Sequence, residues 1–298
     1  MSRLLRSPQT GAGKLFSAAS SENFSKQNLI DAVIKEARRK VMEAEFQKKF
    51  MQSWSRYFPG AELPIGFYYT DSAETKFMAK PPKRHRCIIG DLAKVRKGKP
   101  QCFDNNAIGC FGGKRYLGFE SKLTPDFEYF LSCGIPGKIE GERYKKSPEL
   151  VKEHLKHQQP LKAPGNYIIF KRWDQMENAD IPSVVIFFAA PDVLSGLFTL
   201  ANFDETHPHG VIAPFGAGCA SIVDYPYKEL NSPDPRSVLG MFDVSARPCV
   251  PSNVLTFAVP WPKFVRMVGN MDESFLITRS WNKVKTRIKK EHAKSNDK

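Results

Sequence analysis

The sequence of 298 residues contains no apolar run long enough to cross a bilayer. Its longest, from Val184 to Ala190, has the length of a buried strand. A helical membrane span is therefore not expected. Acidic residues are few, 31 against 45 Lys and Arg, for a formal net charge of +14. That surplus favours anionic partners. No recognisable nucleic-acid module accompanies it, so nucleic acid is not among the expected partners. No compact apolar stretch precedes a small-residue cleavage site near the start, which excludes a secretory signal. Residues 1–21 hold no acid at all, only Arg3, Arg6 and Lys14 among frequent Ser. That composition fits an organelle transit peptide or a disordered leader, and both readings stay open. Cysteine is scarce too. The six present lack regular spacing and exclude a small secreted disulfide scaffold. A reducing interior follows as the expectation: the cytoplasm, or an organelle matrix if the leader is a transit peptide.

What is present divides the chain into a leader (1–21), an N-terminal helix (22–58), an α/β domain (59–280) and a basic helical tail (281–298). A hydrophobic content of 41%, with 22 Phe, can fill the core of one large domain. Leu29, Val33, Ala37, Val41 and Ala44 recur at helical spacing. Strands are expected at Leu63–Thr70, Tyr167–Phe170, Val184–Ala190, Val238–Phe242 and Leu255–Val259. Ser147-Pro148-Glu149 carries a helix-start signature, a capping Ser before a first-turn Pro. His154 and His157 on that helix lack a metal-site pattern and read as a solvated face. Lys80–Arg86, which contains His85, reads as a solvated basic linker, with phosphate binding as the weaker alternative.

Two loops stand out. Ile108-Gly109-Cys110-Phe111-Gly112-Gly113-Lys114 and Pro214-Phe215-Gly216-Ala217-Gly218-Cys219-Ala220-Ser221 each set one cysteine among glycines after a strand-like run. A helix-compatible pattern and a polar turn precede both. Matched element order favours an internal duplication over chance similarity. The expected fold is α/β, a mixed sheet of two β-α-β-like halves with one glycine–cysteine loop each, plus the N-terminal helix.

Thiolates suit zinc and iron–sulfur clusters, and four ligands close a site. Cys110 and Cys219 are the candidate site cysteines, with Cys87 and Cys102 as auxiliary metal ligands. The spacings among these four match no standard short motif. Cys110, Cys219, Arg247 and Asp243 are the candidate catalytic residues, either cysteine acting as a thiolate nucleophile. Arg247 supplies charge and Asp243 orients it, or the two form a structural ion pair. Gly109, Gly112, Gly113, Gly216, Gly218 and Ser221 are the candidate cofactor-binding residues, because backbone N–H groups there can approach a ligand unobstructed. The competing reading is a non-catalytic binder of a small anionic ligand, with charge from Lys114, Arg115 or Arg247. A third reading makes the cysteines small buried hydrophobes.

Gly109 to Phe119, Glu142 to Leu150, Phe215 to Ile222 and Met241 to Pro248 resemble an uncharacterised family, domain-of-unknown-function family 169, the ArCR proteins. The resemblance is collinear from about Phe46 to about Ile288, roughly one large domain. It extends to Cys87, Cys102, Cys110 and Cys219, whereas Cys133 and Cys249 stand where other residues are expected. The resemblance implies no reaction.

Overall fold

The computed structural model describes residues 45–177 and 179–296, with side chains to residue 293. The leader and the expected helical stretch 28–44 lie outside the described residues. The chain divides into two compact units between Met51 and Gln52. Of the first, residues 45–51 are helical. The second, from Gln52, holds every element below apart from residues 45–51 of the first helix.

In chain order the elements are helix α1 (residues 45–57), β1 (Ile65–Thr70), α2 (Ile88–Arg96), β2 (Gln101–Phe103), α3 (Phe111–Tyr116), α4 (Phe127–Phe130), α5 (Pro148–Lys156), β3 (Tyr167–Arg172), β4 (Val184–Ala189), α6 (Pro191–Ala201), β5 (Val211–Ile212), α7 (Tyr225–Lys228), β6 (Ser237–Gly240), β7 (Leu255–Pro260), α8 (Trp261–Asn270) and α9 (Arg279–Asn296). The expected strands are all present within a few residues of their expected bounds. Ser147 caps α5, its hydroxyl accepting from Leu150 N at 3.3 Å.

The seven strands form one mixed sheet in the order β2-β3-β1-β4-β7-β6-β5. Only β5 and β6 pair in parallel. β4, apolar throughout and fully buried, is the middle strand, as an all-apolar run requires when helices cover both faces. Two β-α-β units emerge. β1-α2-β2 brings back a strand parallel to β1, with β3 between them. β4-α6-β5 does the same around β7 and β6. Each unit then runs into one of the glycine–cysteine loops.

Strand alternation sorts side chains between the faces. Ile65 and Phe67 of β1, Ile168 and Phe170 of β3, and Ile186 and Phe188 of β4 pack with Ile88, Leu92 and Val95 of α2. This face also receives Cys110 and Cys219. On the other, Phe187 meets Phe264 of α8 and Trp54. Gly196 lets α6 sit directly on Trp281 of α9: a Cβ there would lie 2.4 Å from the indole. Fully burying each such Phe stabilises the fold by about 1.5–3 kcal/mol.

Candidate functional site

Cys87 immediately precedes α2, and its carbonyl accepts from Gly90 N and Asp91 N at 3.0 and 3.3 Å. The segment before it is anchored by Arg86, whose Nε lies 2.5 Å from the buried Asp91 carboxylate. Gly109 lies against this segment: a Cβ there would be 2.9 Å from the Arg86 carbonyl and 2.8 Å from Pro82. Glycine is what lets the Cys110 loop touch the chain leading into Cys87.

Cys110 caps α3. Its sulfur accepts from Gly113 N at 3.2 Å. A Cβ on Gly113 would stand 2.8 Å from that sulfur, so the cap needs glycine there. Cys219 opens a π-helical turn, Ala220–Asp224, a distortion often found at functional sites. Its loop is held from two sides. The Asp243 carboxylate accepts from Gly218 N at 2.9 Å, and Ser221 Oγ donates to Gly218 O at 2.8 Å. The Cβ position of Gly112 lies 4.0 Å from Cys219 Sγ, so the two glycine–cysteine loops meet.

A fourth cysteine joins them. Cys249 ends a short 3₁₀ turn, Arg247–Cys249, and its sulfur lies 3.7 Å from the Cβ position of Gly90 at the start of α2. Cys87 feels the charges of both Cys249 and Cys219. Every cysteine is a free thiol. Sequence reasoning did not place Cys249 here. Its proximity to Gly90 was the missing signal, and that is set by tertiary packing.

Cys102 stands apart. In β2 it is paired with Ile169, and its neighbour Phe103 with Ile168. Phe103 and Ile168 point into the core that holds the other cysteines. Cys102 therefore faces away, toward Glu74, with burial the main cause of its raised pKa. Cys133 is exposed.

The thiols are electrostatically distinct. Cys87 is held below the ordinary thiol pKa mainly by a hydrogen bond with Cys110, against the opposing effect of burial. Cys110 is pushed well up by that same bond, then by burial. Cys219 is pushed up by burial, then by the nearby Cys110 and Asp243 charges. Cys87 and Cys110 are thus shifted in opposite directions, Cys87 down and Cys110 up.

The expected charged partners are placed differently. Arg247 donates to the carbonyls of Val254, Pro251 and Ser252 at 2.5, 3.3 and 2.7 Å. Its guanidinium is spent on closing its own loop. Among the described residues it makes no side-chain ion pair with Asp243, because Asp243 is taken by Gly218 N and by Ser245 N and Oγ. Arg115 is buried and donates to Ser121 O. Lys114 alone of the expected cations faces a cavity beside Cys110. Gly216 packs on Tyr225.

One group of carboxylates and imidazole, Glu205, His207 and Asp234, has ligand atoms within 4.8 Å of one another. Lys263 and Arg266 already neutralise Glu205, and His207 pairs with Asp234 at 2.9 Å. It reads as a salt-bridge network. Among the described residues, no three cysteine sulfurs meet the same 4.8 Å limit. No helix there is long and apolar enough to cross a membrane.

A family model described as Uncharacterised ArCR, domain-of-unknown-function family 169, matches residues 61–270, more than half of the chain. No curated protein and no solved structure matches it.

Proposed function

The chain belongs to the Uncharacterised ArCR family, and from that premise we propose that Cys87, Cys110, Cys219 and Cys249 bind a thiophilic metal centre, an iron–sulfur cluster. The observation that carries this reading is the convergence of four free thiols from four separate segments. Asp243, the carboxylate whose charge acts on Cys219, is engaged by Gly218 N and by Ser245. An all-sulfur donor set selects soft metals and clusters.

Spacing favours a cluster over a single ion. Two sulfurs on one tetrahedral zinc, at about 2.3 Å from the metal, lie only about 3.8 Å apart. Every set of three cysteines here contains a wider gap than 4.8 Å. Ligands of a cluster attach to different irons and accept the wider set. When bound, such a centre supplies one-electron redox chemistry. The protein's own part is to hold the thiolates in place. Gly113 N hydrogen-bonds the Cys110 sulfur, and Asp243 and Ser221 fix the Cys219 loop. Metal binding must displace the protons that burial keeps on Cys110 and Cys219, so it releases protons and strengthens as pH rises.

A second reading rests on the Cys87–Cys110 bond. Cys87, with its lowered pKa and partial exposure, has the character of a nucleophilic thiolate. Anaerobic reconstitution with ferrous iron and sulfide separates the two. Growth of broad visible absorption with stoichiometric acid-labile sulfide supports the cluster. A colourless protein that reacts singly at Cys87 supports the nucleophile.

A further inference from the structure

The segment Lys80–Arg86 is largely exposed, as a solvated linker is, with Lys83, Arg84 and His85 all at the surface. Its middle forms one wall of a cavity of about 490 Å³, within the size range of small-molecule sites, about 300–1,000 Å³. Lys83, Arg84 and His85 line it together with Lys114, Gly109 and Cys110. No carboxylate lines the cavity. Among the described residues, none of Lys83, Arg84 and Lys114 has an acidic partner, although other basic side chains nearby, Arg86 and Arg96, are paired.

Cations gathered without counter-charges around one concavity repel each other. That costs stability unless an anion is received. We propose that this cavity binds a small molecule carrying a multiply charged oxyanion group, of the phosphate-ester type, and seats it over Cys110. Arg84 offers a planar fork and Lys83 and Lys114 offer point charges, a combination suited to phosphate oxygens. Pro82 touches Gly109 and keeps this wall against the cysteine loop. The proposal rests on the cysteine-centre reading only for what the bound molecule would be there for, a substrate beside that centre. Binding itself needs only Lys83, Arg84 and Lys114.

The test is calorimetric titration of the full chain, as purified anaerobically, with inorganic pyrophosphate at fixed ionic strength. Citrate in a parallel arm distinguishes a phosphate from a polycarboxylate group. A Lys83→Ala/Arg84→Ala variant is compared with Lys283→Ala/Lys290→Ala, which removes equal charge from α9. The expected result is saturable one-to-one binding, weakened about tenfold or more in the cavity variant and nearly unchanged in the α9 variant. Absence of saturable binding, or equal weakening in both variants, overturns the proposal. Iron content is read in the same samples. A cavity variant that keeps its iron but loses pyrophosphate separates this site from the cysteine centre. A wild type that binds pyrophosphate without iron removes the cluster reading and leaves the anion site standing.

Discussion

The Cys110 sulfur accepts from Gly113 N at 3.2 Å, while its interaction with Cys87 pushes its own pKa up. One bond lowers the pKa of Cys87 and raises that of Cys110. In metal-free protein, alkylation at limiting reagent should therefore occur first at Cys87, with a pH midpoint below the ordinary thiol value of 9.0. Cys110→Ala removes the main cause of the lowered Cys87 pKa, and the midpoint should rise. Mass mapping of iodoacetamide adducts against pH reads this directly. First labelling at buried Cys219 would refute it.

The buried thiols make stability depend on alkaline pH. Cys110 and Cys219 have folded pKa values above their unfolded value of 9.0. Their contribution is complete below pH 9.0 and is lost as pH rises toward the folded values. Above the unfolded value the unfolded state binds fewer protons, so stability falls by up to about 1.4 kcal/mol per pH unit for each group. Cys87 has the opposite sign: its contribution is present above the unfolded value and is lost as pH falls through its lowered folded value. Metal-free wild type should lose melting temperature from pH 9 to 10.5, and Cys219→Ala should lose less. Equal slopes in the two proteins would contradict the assignment.

Gly112 and Gly113 should respond oppositely to alanine. A Cβ at Gly113 meets Cys110 Sγ at 2.8 Å and Ile108 at 2.9 Å, so Gly113→Ala should destabilise by about 1–3 kcal/mol. A Cβ at Gly112 meets only Cys219 Sγ, at 4.0 Å. In metal-free protein, Gly112→Ala should be neutral or up to about 1 kcal/mol stabilising. It should nevertheless lower iron incorporation, because the methyl enters the space between the two loops. Chemical denaturation beside iron analysis checks both statements.

The mixed α/β sheet was legible in the sequence because apolar strand-like runs alternate with helix-compatible stretches. β4 was legible because an all-apolar strand has only one place in a sheet covered on both faces. That Cys102 lies on the face opposite the other cysteines was also legible: it alternates with Phe103, and only one of two adjacent strand residues faces a given core. Arg247 could be recognised as a fork, but its partners, three carbonyls within seven residues, depend on a loop conformation that residue type does not specify. Cys249 and the Lys83–His85 wall reach the site only through tertiary packing.

Arg247 and Asp243 should accordingly behave as positioning residues. Arg247→Met leaves three carbonyls without their donor and should destabilise by about 1–3 kcal/mol, without moving the alkylation midpoint of Cys87. Asp243→Ala frees Gly218 N and Ser245, with a similar cost, and should also lower iron content, because the Cys219 loop loses its anchor. If Arg247→Met shifts the Cys87 midpoint, Arg247 tunes the thiols after all.

The central claim is tested most directly by iron and acid-labile sulfide analysis of anaerobically purified protein, comparing wild type with Cys87→Ser, Cys110→Ser, Cys219→Ser, Cys249→Ser and Cys102→Ser. The account predicts iron and sulfide in wild type and Cys102→Ser, and loss or sharp reduction in the other four. Wild type without metal, before and after reconstitution, or a loss at Cys102 equal to that at Cys219, would contradict it.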